Sequence, residues 1–303
     1  MNKKLIVMSS GGNLVRYKEQ LKKLKDNDDF EVLCFSHSFS FCVNELGFYP
    51  DYFTVLDPWP FMLPWALERL TKVTEKIKTK VIVLDPLHTK HSYKQYINWY
   101  GTTPLGRPET PGGNHGGFDR LHKLVNKLEK SDKVEVMKLP CFTLKHIYEN
   151  KLLYPMFKTN GGFLDLVGNN FENRFDVDEV IIKNQLNPTL NEDKLTSYIL
   201  PVLQKLGKKE VYLIGWDCMG GRYLSKKDIY ASYRYPEKAT ADAAKTDFFL
   251  SPNANRGLEE AKETIRRFLP RWNQYVKCTN LVEDKYTYLN KFIDYKPIEE
   301  VIK

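Results

Sequence analysis

Short apolar runs recur along this chain, each one stopped by a proline, an aspartate or a short stretch of small or polar residues. Leu5 to Met8, Glu31 to Phe35, Phe53 to Leu56, Lys80 to Leu84, Val134 to Leu139 and Glu210 to Ile214 have the length and the β-branched, aromatic and leucine content of strands covered on both faces. Between them lie segments with helical spacing of apolar residues: Leu14 to Leu24, Phe39 to Leu46, Leu67 to Lys78, Phe118 to Lys130, Leu144 to Leu152, Leu195 to Leu206 and Leu258 to Trp272. Val180 to Asn184 is a further short strand candidate, and Tyr275 to Cys278 is the last. Strand and helix alternate with short connections, so the expected fold is α/β, a doubly wound and mostly parallel sheet.

The alternation lapses in two places. Residues about 88–117 carry three histidines and a run of glycine and proline, and about 222–252 are rich in Tyr, Lys and Arg. Loops this long inside a compact domain are usually functional, so both are read as lid-like segments of one catalytic domain spanning 1–285. The remaining residues, 286–303, are expected to be a peripheral tail.

A chain of 303 residues with 42% hydrophobic and 28% charged residues is an ordinary globular composition, which argues against disorder. No apolar run reaches the roughly 20 residues that span a bilayer, and the apolar stretch after Lys4 is too short for a secretory leader. The expected location is cytoplasmic. The five cysteines are scattered, with no CxxC and no Cys/His pair at zinc spacing, so free thiols and no metal are expected. A net charge of +8 favours an anionic partner: a nucleotide, a glycan or another anionic acceptor, or nucleic acid.

Residues just beyond the carboxyl ends of parallel strands line the ligand crevice of open α/β sheets. By that rule the turn Gly11-Gly12-Asn13 after the first strand is a candidate anion cradle, the bland alternative being an ordinary βα turn. Ser36 and His37 follow the second strand, Asp57 the third, Asp85 closes the fourth, and Asp217 follows Gly215 and Trp216. His115 sits in the first glycine-rich loop, beside Asn114; Arg222, Tyr230 and Tyr233 sit in or next to the second irregular segment. Each histidine has an ordinary packing role as its alternative.

Three motifs, read together, carry a resemblance. They are the opening turn Ser10-Gly11-Gly12-Asn13-Leu14, the stretch Pro50-Asp51-Tyr52-Phe53-Thr54-Val55-Leu56-Asp57, and Tyr212-Leu213-Ile214-Gly215-Trp216-Asp217. With a strand closing on Cys278-Thr279-Asn280, their order is similar to that in the superfamily of 6-hydroxymethylpterin pyrophosphokinase-like proteins, motility-accessory flagellin glycosyltransferases and small bacterial sialyltransferases. The resemblance implies a Rossmann-like fold and a nucleotide-linked donor with its phosphates toward Gly11, Gly12 and Asn13. Ser36 and His37 would fall where the sialyltransferases place a donor-binding Asn, and Asp217 would line the same cleft. Two departures stand out. The group's opening turn is usually Gly-x-Gly-Pro-Ser-Leu, and its sialyltransferases have a catalytic histidine after the Gly-x-Asp strand, whereas this chain has none after His146. Tyrosines that assist the leaving phosphate in that group have counterparts in Tyr230 and Tyr233.

The expected activity is transfer of a sugar from a CMP- or UDP-activated donor to a glycan, protein or nucleic-acid acceptor, with no prosthetic group. Gly11, Gly12, Asn13, Ser36, Asp217 and Arg222 would bind the donor. His37, His115 or Asp57 would serve as base, and Tyr230 and Tyr233 would offset charge on the leaving group. The alternatives are a magnesium-dependent ATP diphosphokinase using Asp57, Asp85 and Asp217, and a nucleic-acid-binding or nucleic-acid-modifying protein.

Overall fold

A computed structural model describes residues 3–9, 11, 13–35, 38–55, 64–85, 123–140, 195–216, 262–263 and 265–303. Within them, eight strands form one sheet: β1 Lys4–Met8, β2 Phe30–Phe35, β3 Tyr52–Val55, β4 Lys80–Asp85, β5 Glu135–Pro140, β6 Glu210–Ile214, β7 Lys277–Asn280 and β8 Asp294–Tyr295. Every pairing is parallel and the order across the sheet is β5-β4-β3-β2-β1-β6-β7-β8. The chain lays strands outward from β1 to β5, then returns to the other side of β1 and lays β6 to β8 outward the opposite way. The predicted α/β, doubly wound, Rossmann-like architecture is what the structure contains. Among the described residues no helix is long and apolar enough to cross a membrane.

The central strands are buried on both sides because their side chains alternate between two apolar layers. Ile6, Met8, Val32, Cys34, Phe53 and Val81 face one layer with Leu14, Leu21, Phe39, Leu67, Leu128 and Ile302. Leu5, Val7, Leu33, Phe35, Val211 and Leu213 face the other with Ile199, Leu203, Ile265, Leu269 and Trp272. A strand with two dry faces has no place for polar residues, which is why it reads as an unbroken apolar run. Three described cysteines, Cys34, Cys42 and Cys278, are free and buried, and burial pushes the Cys278 thiol up to about 12. Cys141 and Cys218 lie outside the described residues.

Three expectations are corrected. The helix expected over Leu67 to Lys78 is Pro64–Leu70 and stops there. The Thr71 hydroxyl donates to the Glu68 carbonyl at 2.8 Å, and the chain then turns, with Lys72 and Val73 N–H groups meeting the Arg69 and Leu70 carbonyls, before the Ile77 N–H meets the Lys133 carbonyl at 3.0 Å. The last expected strand moves two residues onward to Lys277–Asn280, because Tyr275 and Val276 close the preceding helix by donating to the Trp272 carbonyl. Residues 286–303 are not peripheral. They supply β8 and bury Leu289, Ile293, Ile298, Val301 and Ile302, the first two in one layer and the last three in the other. Their apolar positions escape notice in the sequence because short 3₁₀ turns at Asp284–Tyr286 and Leu289–Lys291 follow neither the strand nor the helix period.

Candidate functional site

The strand order reverses between β1 and β6, and at such a switch point the connections leaving the two strands part to opposite faces and open a crevice at the carboxyl edge. Here the two departing segments are sewn together by main chain. The Ser9 N–H donates to the Ile214 carbonyl at 2.9 Å, and the Gly11 N–H to the Gly215 carbonyl at 2.8 Å. Gly215 has φ +86°, and a Cβ there would lie 2.7 Å from the Ser9 carbonyl oxygen. Only glycine meets both conditions, so at Gly215 the two strand ends approach too closely for any side chain.

A second tie joins β1 to β2. Ser38, fully buried at the start of the helix Ser38–Phe41, has its hydroxyl 2.7 Å from the Met8 carbonyl and 2.9 Å from the Phe35 carbonyl, and accepts the Phe35 N–H at 2.9 Å. The ends of β2 and β6 also meet through their rings. Phe35 and Trp216 stack with centroids 6.3 Å apart and planes 3° from parallel, within the range of an offset aromatic pair.

The third wall comes from the carboxyl-terminal residues. The Thr287 hydroxyl donates to the Trp216 carbonyl at 3.1 Å, and the Tyr286 carbonyl accepts from the Asn13 side-chain amide at 3.3 Å. Neighbouring residues of one segment therefore touch the end of β6 and the first turn of α1 (Asn13–Arg16). Asn280, closing β7, donates to Asn290 at 2.6 Å, and Asn290 in turn donates to the Val282 carbonyl and to Asp284. Tyr17, in the same wall, has its phenol held above the ordinary tyrosine range chiefly by burial, with a smaller opposing pull from a backbone hydrogen bond at Glu283.

Of the residues expected to bind the donor or act in the transfer, two fall in the described residues. The Gly11 N–H is committed to Gly215, so this residue offers a close-approach position rather than a free donor. Asn13 is 7% exposed and its amide engages Tyr286, which makes it a tie between α1 and the carboxyl-terminal segment. Gly12, Ser36, His37, Asp57, His115, Asp217, Arg222, Tyr230 and Tyr233 lie outside the described residues, as do both lid-like segments. The Asp85 main chain closes β4, three strands away from β1 across the sheet. Among the described residues no cluster of His, Cys, Asp and Glu is arranged to hold a metal. The sequence reading missed Ser38, Tyr286 and Thr287. Ser38 carried a usable signal, since a serine opening a helix directly after a strand is placed to take up loose main-chain groups.

No protein-family model matches this chain, and no curated protein matches it. Among solved structures, the crystal structure of the sialyltransferase CST-II in complex with trisaccharide acceptor and CMP is similar over 97% of this chain and 86% of that one, with 16% sequence identity and a TM-score of 0.30. Chains related at that level share too little geometry for a site or an activity to be carried from one to the other.

Proposed function

We propose that this protein is a glycosyltransferase holding a nucleotide-activated sugar in the crevice at the carboxyl ends of β1 and β6. The observation that supports it most is the reversal of strand order between those two strands, with Gly11 after one joined through its main chain to Gly215 after the other. Ligands of open α/β sheets bind at that point of the topology. The candidates His37, Asp57 and Asp217 each follow a strand's last residue by two or three positions in the chain, which is consistent with the same edge.

In this reading an acceptor oxygen attacks the anomeric carbon, the bond from that carbon to the phosphate oxygen breaks, and the nucleotide leaves with the electron pair. His37, His115 or Asp57 takes the acceptor's proton, while Arg222, Tyr230 and Tyr233 offset the charge on the departing phosphate. Gly12, Ser36 and Asp217 complete the donor site; the donor is CMP- or UDP-linked, and the acceptor is a glycan or another anionic molecule.

The test is thermal stabilisation by CMP, UDP, GDP and ATP, with and without magnesium. A ligand that binds only the folded chain raises its melting temperature by mass action. Stabilisation by CMP or UDP without magnesium is expected. Stabilisation by ATP only with magnesium, lost in Asp217→Asn, would replace the transferase by the diphosphokinase. His37→Ala and His115→Ala, assayed for donor turnover, identify the base: the one that serves should slow turnover by about 100-fold.

A further inference from the structure

Arg16 is exposed on α1, and its Cζ lies 3.7 Å from the centroid of the Tyr286 ring. Among the described residues no carboxylate pairs with it. Lys3, Lys18, Lys22, Lys78, Lys80, Lys208, Arg266, Arg267 and Lys285 each have a carboxylate within 4.0 Å, whereas Arg16 has the Tyr286 ring. A guanidinium laid on a ring keeps all five N–H donors directed around its rim, so stacking orients it without using up its hydrogen bonds.

Position adds to this. Arg16 closes the short helix that begins at Asn13, two residues after Gly11, whose N–H meets the end of β6 at Gly215. The ring beneath it is held on both sides in the chain: the Tyr286 carbonyl accepts from Asn13, and Thr287 is tied to the Trp216 carbonyl. The same residues that wall the crevice therefore position the guanidinium at its rim.

We infer that Arg16, positioned by Tyr286, is an anion-recognising residue that pairs with a phosphate of the ligand in the β1/β6 crevice. The inference rests on the nucleotide reading for the identity of the ligand, but the anion seat itself is testable without a nucleotide. The planar fork of arginine matches two phosphate oxygens, which a lysine at the same place would not.

The probe is inorganic pyrophosphate, titrated against the full chain at ionic strength matched with sodium chloride, with affinity read by calorimetry or melting temperature. Arg16→Met should weaken pyrophosphate binding roughly tenfold to a hundredfold, the effect of losing a charged hydrogen bond. Arg16→Lys should weaken it less, and Tyr286→Leu should lie between wild type and Arg16→Met. Lys291→Met removes the same charge from an exposed residue stacked on the next tyrosine, Tyr288, at 4.9 Å, and should leave binding unchanged. Ligand-free Arg16→Met should melt within about 4 °C of wild type, since an exposed cation–π contact contributes little to folding. Failure of pyrophosphate to bind the wild-type chain, or equal binding by Arg16→Met and Lys291→Met, overturns the inference. If binding needs Arg16 but CMP, UDP and GDP bind no better than pyrophosphate, the anion seat stands and the nucleotide reading is what fails.

Discussion

The two edges of the sheet solve opposite problems. At the amino edge three ion pairs bridge the segments: Lys80 with Glu135 at 3.0 Å, Lys78 with Asp51 at 3.0 Å, and Lys208 with Glu31. Asp51 also accepts the Val32 N–H at 2.8 Å, and Tyr52 touches both members of the last pair, its hydroxyl donating to Glu31 and its ring lying under the Lys208 ammonium. At the carboxyl edge the residues binding β1, β2, β6 and the terminal segment together are neutral: Ser9, Gly11, Asn13, Ser38, Gly215, Asn280 and Thr287. Pairing offsets those charges locally, whereas an arginine set beside neutral ties keeps its field outward. The lesson is that order at the carboxyl edge comes from hydrogen bonds that cancel no charge, so a charged ligand still has something to meet there.

The largest effect that would sharpen this contrast comes from two glycines in the same left-handed backbone. Gly207 (φ +69°), before β6 at the amino edge, has open space where a Cβ would go; Gly215 (φ +86°), after β6, does not. Gly215→Ala should cost about 3–4 kcal/mol, combining left-handed strain with a forced shift of the Ser9 carbonyl, and Gly207→Ala about 1 kcal/mol. Urea denaturation of the two variants checks this; equal losses would mean the β1/β6 approach is not tight.

Next in size is Ser38→Ala, which leaves the Met8 carbonyl and the Phe35 N–H short of a partner in a buried place and should cost about 2 kcal/mol by the same measurement. A loss below about 0.5 kcal/mol would show that the neutral ties are dispensable.

The smallest effect is a pH dependence at the amino edge. Burial, with the Glu31 and Asp51 carboxylates nearby, raises the Tyr52 phenol to about 12, above its unfolded value near 10. A raised folded value means the folded chain holds the proton that the unfolded chain gives up. The contribution is therefore complete below pH 10 and is lost as pH rises through about 12. Tyr52→Phe should flatten the fall in stability between those limits, and an unchanged slope would place the phenol in water.

Much of the secondary structure was legible because it is local. Leu5 to Met8 and Val211 to Ile214 announce strands since a residue buried on either face must be apolar whatever its neighbours are. The helix beginning near Leu195 and ending before Gly207 is legible for the same reason, its period and its left-handed terminator lying within one short stretch. Of the site, the glycine turns at Gly11 and Gly215 were legible as turns, but their partnership was not. The two are about 200 residues apart in the chain, and nothing in either stretch names the other.

By itself, then, the sequence determined that this chain builds buried parallel strands joined by helices, and that its small and polar residues collect where those strands end. Tertiary structure alone decided that β6 lies against β1, that the Gly11 amide is spent on Gly215, and that Tyr286 and Thr287 tie the carboxyl-terminal segment to α1 and to the end of β6. The physical reason is one of range: burial and backbone preference act within a few residues, whereas strand order and close approach depend on pairings between distant segments whose energies appear only once both are in place.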